Sequence, residues 1–410
     1  MKVDCTVEIQ GHIIDSLTLP KIMDTILDLG AAYTIKEIKI GNDKTNVSYA
    51  RLNVFADSHE ILDNVLDNIT KQGATLLEEK NVTLGECPKD RTLPDDFYST
   101  TNMITEILLN DEWVPAGNTA MDCAIVVDEK NKKACCTKLS QIKKGDKVVM
   151  GHDGVKVHPL RKHEDKSIFT FMGSEISSEK PKSLLINKIA KRMQEIKENN
   201  EGKILFVLGP AVVHTKSRDN FIKLIKMGMV DYMFAGNALA THDIEADLYG
   251  TSLGISLEDG NPIPGGHSHH LRAINKINQQ GSIRNAVESG VLKTGIMHAC
   301  IKNDIDFVLA GSIRDDGPLP EVITNTVTAQ CEMRKRIQDV KMTIMIASML
   351  HSIAVGNLLP AYVETVCVDI NPAVVTKLSD RGSFQTMGLV TDVEAFIRDL
   401  VCALERIAVK

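Results

Sequence analysis

The residues best suited to chemistry lie between Ser289 and His351, where two apolar stretches each run into small and polar residues. The first stretch, 306–310, leads into a loop of glycine, serine and aspartate that contains Asp315 and Asp316. The second stretch, 342–347, leads into Ser348, Met349, Leu350 and His351. Ligands of open parallel sheets bind outside the carboxyl ends of the strands, where glycine admits a phosphate and a carboxylate accepts from ribose hydroxyls. The segment therefore predicts a nucleotide site, although it lacks the G-x-G-x-x-G fingerprint.

A third apolar stretch ends at Asn237 and Ala238, and its amide is also suited to ligand binding. A side-chain amide at a strand's carboxyl end can bond a base edge or a carboxamide. Asn237 or Thr241 would alternatively cap a helix, with Asp243 and Glu245 in a solvated acidic first turn. We predict ligand contact by Asn237 and assign the acidic residues to capping.

Two later segments add candidates for the same cleft. Asp369 ends a predicted strand and can bond an adenosine ribose, or it can cap the helix entered at Pro372, a role that Asn371 would fill equally well. Both roles can hold together. Leu389 and Val390 lie in a segment that we interpret as a small-residue turn, and they either pack on a flat ring or belong to the core.

Metal and thiol chemistry are not favoured. The sequence GGHSHH at 265–270 places three histidines within four residues on a glycine loop. Such neighbours rarely converge on one centre, and no Cys or Glu stands beside them at helical spacing, so we predict no metal site. The nine cysteines are odd in number and have no paired spacing, which is typical of reduced thiols in a cytoplasm.

The composition restricts the class of protein. A chain of 410 residues predicts two or three domains. The net charge of −7 argues against a nucleic-acid partner. No apolar run is long enough to cross a bilayer, and the first residues alternate without the apolar core of a signal peptide. We therefore expect a cytoplasmic protein with no membrane partner.

The elements that must position these residues form an α/β chain. Residues 1–80 predict the βαββαβ order of a ferredoxin-like α+β unit. Prolines and short alternating runs in 81–182 predict a small β-rich middle domain. From 183 to 410, amphipathic helices alternate with apolar strands, which predicts a Rossmann-like parallel sheet covered on both faces.

Several stretches carry a resemblance to a known family. They are FYSTTN, WVPAGNTAMDCAIVVD, GDKVVMGHDGVKVHP, FMGSEISSEKP and VDINPAVVTKLSDRGSFQTMGLVTD. Together they resemble the archaeal ornithine cyclodeaminases, which also form the C-terminal half of arginine dihydrolase/ornithine cyclodeaminase fusions and share the lysine–ketoglutarate reductase/saccharopine dehydrogenase conserved region. The resemblance implies conversion of L-ornithine to L-proline and ammonia, with bound NAD as a temporary hydride store. The arginine dihydrolase domain of the fusions is missing, so we expect no action on arginine.

The opening segment also resembles deoxyhypusine synthase, an NAD enzyme with a Rossmann-like sheet. This likeness places Lys293 and His298 on the nicotinamide side and Asp316 on a ribose. The lysine that holds a covalent imine in that enzyme has no counterpart near positions 328–330, which puts covalent catalysis there in doubt.

The implied reaction needs a group that accepts and returns protons on nitrogen. Lys293 is the predicted proton-handling residue, because desolvation beside a nicotinamide would lower its pKa. A solvated lysine at a helix start is the alternative. Asp315 is predicted to position the substrate amine, and a homo-oligomer is expected. Two other functions stay open: a saccharopine-type or amino-acid dehydrogenase that would form NADH, and a non-catalytic NAD-binding protein that senses an amino acid.

Overall fold

The computed structural model describes residues 3–14, 16–42, 46–77, 80–158, 182–380 and 386–408. These residues fall into two compact units, and each unit is described by itself. One unit lies within Met1–Lys166 and Leu358–Tyr362, and the other within Ser167–Asn357 and Val363–Lys410. The division into three domains at 80 and 182 stays a prediction. The segment FMGSEISSEKP lies outside the described residues.

The first unit begins with the predicted βαββαβ order. Its elements are β1 (Val3–Gly11), α1 (Thr18–Asp28), β2 (Ala32–Lys39), β3 (Ser48–Ala56), α2 (His59–Lys71) and β4 (Ala74–Leu76). The four strands form an antiparallel sheet in the order β2-β3-β1-β4. The hydroxyl of Ser58 accepts from the backbone N–H of Ile61 and caps α2, as its sequence predicts. Alternate strand residues such as Leu52 and Val54 are fully buried and form the core with both helices.

The same unit continues with a second, seven-stranded sheet. Its strands are β5 (Thr83–Glu86), β6 (Ile104–Leu109), β7 (Glu112–Gly117), β8 (Ala124–Asp128), β9 (Lys133–Thr137), β10 (Lys147–Met150) and β11 (Val155–His158). They lie in the order β11-β6-β7-β9-β8-β10-β5. This part is β-rich, in agreement with the predicted fold class.

The second unit is built on a parallel sheet. Its strands are β12 (Lys203–Leu208), β13 (Tyr232–Gly236), β14 (Thr251–Ser252), β15 (Ile255–Ser256), β16 (Asp306–Ala310), β17 (Val322–Ile323), β18 (Val340–Ile346), β19 (Glu364–Asp369) and β20 (Thr386–Val390). Seven of them form one sheet in the order β17-β16-β13-β12-β18-β19-β20, and β14 and β15 form a separate hairpin. All pairings in the large sheet are parallel, which confirms the predicted Rossmann-like architecture.

Helices cover this sheet and connect its strands. They are α3 (Lys182–Glu198), α4 (Ala211–His214), α5 (Arg218–Lys226), α6 (Asn237–Tyr249), α7 (His269–Gln280), α8 (Ile283–Glu288), α9 (Ile296–Lys302), α10 (Thr326–Ile337), α11 (Met349–Gly356), α12 (Pro372–Asp380) and α13 (Val393–Ala408). The strands are buried as continuous apolar runs; Ile204 through Leu208 are all fully buried. No described helix is long and apolar enough to cross a membrane.

One predicted turn is a strand. Residues 386–390 pair with β19 and form the edge strand β20, whereas the sequence interpretation placed a small-residue turn there. This five-residue strand is hard to recognise from the sequence, because it contains glycine and threonine, which are also common in turns. The pairing with a buried neighbour overrides that local preference.

Candidate functional site

The strand order contains a switch point between β12 and β18. The chain leaves β12 towards β13 on one side, and leaves β18 towards β19 on the other, so the loops after these two strands part and open a cleft. Gly209 follows β12 and Ala347 follows β18. A Cβ atom on Gly209 would lie 1.7 Å from the carbonyl oxygen of Ala347, so only glycine permits this approach. Ala347 itself adopts a left-handed φ of 49°, an unfavourable conformation of the kind found at functional sites.

His351 lies at the same edge of the sheet. A Cβ atom on Gly236, the last residue of β13, would lie 2.8 Å from the Cε1 atom of His351. Burial lowers the pKa of His351 below its usual value, while the negative charge of Asp315 acts in the opposite direction. His351 is therefore a neutral imidazole at neutral pH, close to Asp315 and in contact with the end of β13.

Asn237 fixes the loop that carries the two aspartates. Its Nδ2 donates to the carbonyl of Gly317 at 3.0 Å, and its Oδ1 accepts from the N–H of Leu319 at 3.1 Å. The helix cap at this point is Gly236, and Asn237 is the first residue of α6. Its amide therefore supports the loop after β16, and direct contact of Asn237 or Ala238 with a ligand stays a prediction.

The two aspartates make different contacts. Asp315 accepts from the N–H of Ser312 at 2.8 Å through Oδ2 and closes a turn of the loop. Asp316 is mostly exposed, and its Oδ2 lies 3.2 Å from Nε2 of His270. The loop thus holds one carboxylate towards His351 and the other towards the start of α7. Their roles towards substrate and ribose stay predictions.

The edge beyond β18 brings together most of the other cofactor candidates. Asp369 at the end of β19 is 9% exposed, and its Oδ1 accepts from the N–H of Asn371. The side chain of Asn371 accepts from the N–H of Ala373 at the start of α12, so Asn371 caps this helix, and the contact of Asp369 with a ribose stays a prediction. Ser348 is buried beside this edge. The side chains of Met349 and Leu350 lie outside the described residues.

The side chains of Leu389 and Val390, at the end of β20, differ in burial. Leu389 is 1% exposed and packs in the main core of the unit, so the alternative of core packing holds for its side chain. Val390 is half-buried at the end of the strand, beside Asp369 in the register. The first four residues of β20 are all buried, and Val390 differs because it stands at the carboxyl end of the strand, where the covering elements part.

Lys293 is not among the residues gathered at the cleft. Its backbone N–H donates to Asp247 at 2.9 Å, and its side chain is exposed. Asp247 stands ten residues after Asn237 on α6, which corresponds to about 15 Å along the helix. The recorded contacts therefore give Lys293 the position of a solvated lysine before α9, the alternative that its sequence left open. Its catalytic role stays a prediction.

The acidic residues of α6 differ from their predicted role. Asp243 and Glu245 are fully buried, so the prediction of a solvated acidic first turn was wrong. Asp243 accepts from Arg218 and from the first N–H groups of α9. Glu245 binds His242 and the hairpin that follows the helix. Helices α4, α7 and α9 pack against α6, so Asp243 and Glu245 face protein and not water. The missed signal is that polar residues occur at all helical phases of 237–249 while the helix lacks an apolar stripe.

The described residues contain no metal-ligand cluster, and their two open grooves lie away from the candidate cofactor residues. Within the described ranges, no three His, Cys, Asp or Glu side chains converge as a metal-binding group. Two open grooves, each of about 430 Å³, lie against this sheet, one at the amino ends of β12, β13 and β16 and the other along β16 beside β17 and α10. Neither is lined by the candidate cofactor residues, so the predicted nucleotide site rests on the strand ends and not on these grooves.

Three adjoining regions of the chain match described families. Residues 4–103 match the LOR/SDH bifunctional enzyme conserved region, and residues 104–186 match the first region of the C-terminal part of arginine dihydrolase ArgZ-like proteins. Residues 187–400 match the Rossmann fold of the same C-terminal part. An ornithine cyclodeaminase of Methanothermobacter thermautotrophicus is 54% identical over 98% of this chain and 97% of its own length. The chain belongs to this ornithine cyclodeaminase family.

Solved structures extend the family relationship. The apo structure of ArgZ, an arginine dihydrolase from the ornithine–ammonia cycle in cyanobacteria, has a TM-score of 0.85 and 36% identity over 99% of this chain. The ternary complex of AgrE with ornithine and NAD⁺ has a TM-score of 0.54 and 38% identity over 100% of this chain. The chain spans 59% of the ArgZ chain and 58% of the AgrE chain. These members of the ornithine cyclodeaminase family are therefore longer than the chain described here.

Proposed function

We propose that this chain is an ornithine cyclodeaminase that converts L-ornithine to L-proline and ammonia with bound NAD. The observation that carries the proposal is the family match over 98% of the chain to a relative named ornithine cyclodeaminase. The binding of ornithine and NAD⁺ by AgrE supports the choice of substrate and cofactor. The parallel sheet with an open switch point supplies the type of cleft in which such folds bind dinucleotides.

The residues of the cleft fit a dinucleotide. The glycine-only approach of the loops after β12 and β18 lets backbone come close to a phosphate. Asp369 presents a buried carboxylate, of which the structure engages one oxygen with Asn371, and the other suits a ribose hydroxyl. We propose that Asn237, Ala238, Asp316, Ser348, Met349, Leu350, His351, Asp369, Leu389 and Val390 form the cofactor site, with Leu389 acting through its backbone.

The protein's own residues would orient the substrate and control water and protons. When bound, NAD supplies a hydride acceptor and donor, so the conversion ends at the oxidation level at which it began. Asp315 would hold a substrate ammonium group, since its carboxylate lies near the neutral ring of His351 at the sheet edge. The buried neutral imidazole of His351 would offer a hydrogen bond without adding a positive charge that repels the substrate amines. Lys293 retains its proposed role in proton transfer only as a hypothesis from the sequence.

One assay tests the proposal. Purified protein, NAD⁺ and L-ornithine are incubated together, and ammonia, proline and absorbance of NADH are measured in the same sample. Release of ammonia and proline in equal amounts, without lasting NADH, is the expected result. Net NADH formation would indicate an amino-acid dehydrogenase, and NAD binding without any product would indicate a sensor. Either result would overturn the proposal.

Assembly and location extend the same proposal. We propose a homo-oligomeric cytoplasmic enzyme of proline formation, as its sequence predicts. Size-exclusion chromatography with light scattering tests the assembly, and a monomeric mass for the active protein would contradict it.

A further inference from the structure

A buried polar cluster adjoins the cleft and has no part in the site proposed above. We call it the α6 cluster and define it as His214, His242, Glu245, Thr251 and Ser252. Thr251 is fully buried, Ser252 is 5% exposed, and His242 is 8% exposed. The cluster combines His214 of α4 with residues of α6 and of the β14–β15 hairpin that directly follows it.

Glu245 is the centre of the cluster. Its Oε1 accepts from the hydroxyl of Thr251 at 2.8 Å and from the N–H of Gly254 at 3.1 Å. Its Oε2 lies 2.9 Å from Nδ1 of His242 and accepts from the N–H of Leu253 at 3.3 Å. Burial acts to raise the pKa of Glu245, but these donors, His242 first, lower it below the usual value. Glu245 is therefore an ionised carboxylate inside the protein.

The charge of Glu245 decides the tautomer of His242. An ionised carboxylate only accepts hydrogen bonds, so Nδ1 of His242 must carry the hydrogen. In the neutral ring, Nε2 then becomes a proton acceptor with a fixed direction. An imidazolium formed on proton uptake would be paired at once with Glu245. This is the arrangement in which a carboxylate orients a histidine for general-base work.

His214 forms the second wall of the cluster. Its ring centre lies 4.9 Å from that of His242, with the planes at 60°. Nδ1 of His214 lies 2.6 Å from the hydroxyl oxygen of Ser252. Burial and the proximity of His242 lower the pKa of His214 from 6.5 to about 4, so its ring is neutral at neutral pH. The neutral ring of His214 therefore places no positive charge beside His242.

The chain path places both histidines next to the cleft. Gly209 directly follows the carboxyl end of β12. His214 is the last residue of the short helix α4 and stands five residues after Gly209. His242 stands five residues after Asn237, about 7.5 Å along a helix that begins at the carboxyl end of β13. Both elements thus start at the edge where the nucleotide site is proposed. A purely structural role would explain the bonds of Glu245 to the hairpin. It would not explain why the Nε2 atoms of His214 and His242 accept or donate no hydrogen bond among the described residues.

We propose that His242 is the residue that takes up and returns the proton of the substrate nitrogen, with Glu245 as its positioning residue and His214 as the neighbouring wall of the substrate site. The proposal rests on the proposed cyclodeaminase function. In the step, an N–H bond of the substrate ammonium breaks, the proton binds Nε2 of His242, and the electron pair stays on nitrogen. The same proton returns to the departing amino group as its C–N bond breaks, with the electron pair of that bond going to nitrogen, so NH3 leaves and the neutral histidine is restored.

The experiment compares two variants with matched controls and with Lys293→Ala. The variants are His242→Asn and Glu245→Gln; the controls are His59→Asn and Glu288→Gln at exposed positions. Each full-length protein is measured for kcat and KM in ammonia release from ornithine, and for NAD⁺ affinity by calorimetry.

We expect kcat to fall about 100-fold or more in His242→Asn, in line with the usual range for a lost acid–base group. We expect a smaller fall, about tenfold, in Glu245→Gln because the side chain still accepts from the hairpin. NAD⁺ affinity should stay within about twofold of the unmodified protein in both variants, and the controls should behave as the unmodified protein.

Each other outcome overturns the inference. A His242→Asn protein with near-normal kcat is one such outcome. Another is loss of turnover in Lys293→Ala alone, which would return the proton-handling role to the lysine. Should His242→Asn fail to bind NAD⁺, His242→Gln takes its place, because its amide can still donate to Glu245; failure of both would make the cluster structural. If the unmodified protein releases no ammonia, the cyclodeaminase function itself is wrong. An active protein with an unaffected His242 variant refutes only the assignment of His242.

Discussion

Buried polar groups are paired differently at the two edges of the parallel sheet, the edge formed by the amino ends of its strands and the edge formed by their carboxyl ends. At the amino edge, Arg192 of α3 is 6% exposed and reaches both Glu364 at the start of β19 and Glu201 before β12. The guanidinium makes three nitrogen–oxygen contacts of 2.8 to 3.1 Å with Glu364 and two of 2.6 and 2.9 Å with Glu201. At the carboxyl edge, Asp369 is held through Oδ1 and His242 through Nδ1, and the second polar atom of each side chain is proposed to bind a ligand. Closed pairing is the mark of a structural role, and half-occupied polar groups are the mark of a binding site.

The amino edge should give the largest effect on stability. Arg192→Ala leaves two carboxylates, one of them nearly fully buried, without their cation, and we expect the free energy of unfolding to fall by about 3–5 kcal/mol. Urea denaturation followed by circular dichroism measures the change. Arg398→Ala, which removes an exposed ion pair with Glu394, is the control and should leave the free energy of unfolding almost unchanged. Equal losses in the two variants would remove the distinction between closed and solvated pairs.

The loop contact at the cleft should give the next largest effect. Gly209→Ala forces a methyl group onto the carbonyl of Ala347, so the loops after β12 and β18 must separate at a cost of about 1–3 kcal/mol. We expect NAD⁺ affinity, measured by calorimetry, to fall at least about tenfold. In Gly117→Ala, the added Cβ lies 3.7 Å from the nearest atom, an ordinary contact, and affinity should not change. Unchanged binding in Gly209→Ala would show that phosphates do not lie at this contact.

A smaller effect is expected at the end of β19. Asp369→Ala removes the carboxylate proposed to accept from a ribose hydroxyl, and a hydrogen bond to a charged group contributes about 1.5–3 kcal/mol. NAD⁺ affinity should therefore fall about tenfold or somewhat more. Asp369→Asn keeps one acceptor oxygen and should lose less. A protein that still carries full NAD after the alanine substitution would disprove the assignment.

The pH dependence of stability should give the smallest effect. The pKa of His214 is lowered from 6.5 to about 4 in the folded protein, so between these values the unfolded chain binds more protons. The stability that the neutral ring contributes is complete above pH 6.5 and is lost as the pH falls towards 4. His214→Asn should flatten the pH dependence of the free energy of unfolding in this window, by at most about 1.4 kcal/mol per pH unit. Urea midpoints at several pH values measure it, and an unchanged slope would mean that the ring is protonated in the folded state.

Much of the fold follows from local patterns. The strand Asp306–Ala310 has the bounds that its apolar run predicts, and the first elements of the chain follow the predicted βαββαβ order. The family was also recognisable, because its motifs span nearly the whole chain. The edge strand β20 was missed, because its glycine and threonine are equally typical of turns.

The site was only partly predictable. The ends of β16, β18 and β19 were expected to meet, since the carboxyl ends of parallel strands share one edge. Glu245 was not expected in a site, because its burial depends on the helices packed around α6. Spacing in the sequence gives no information on which helices will surround another.

By itself, the sequence determined the order of elements, the parallel sheet and the family, because hydrophobic periodicity and motifs are local properties. Only the tertiary structure decided which polar residues lie close together. It holds the backbone of Lys293 against Asp247, and it brings His214 of α4 beside His242 and Glu245 of α6. The physical reason is that an ionised carboxylate tolerates burial only when donors converge on it, and that convergence is a product of packing.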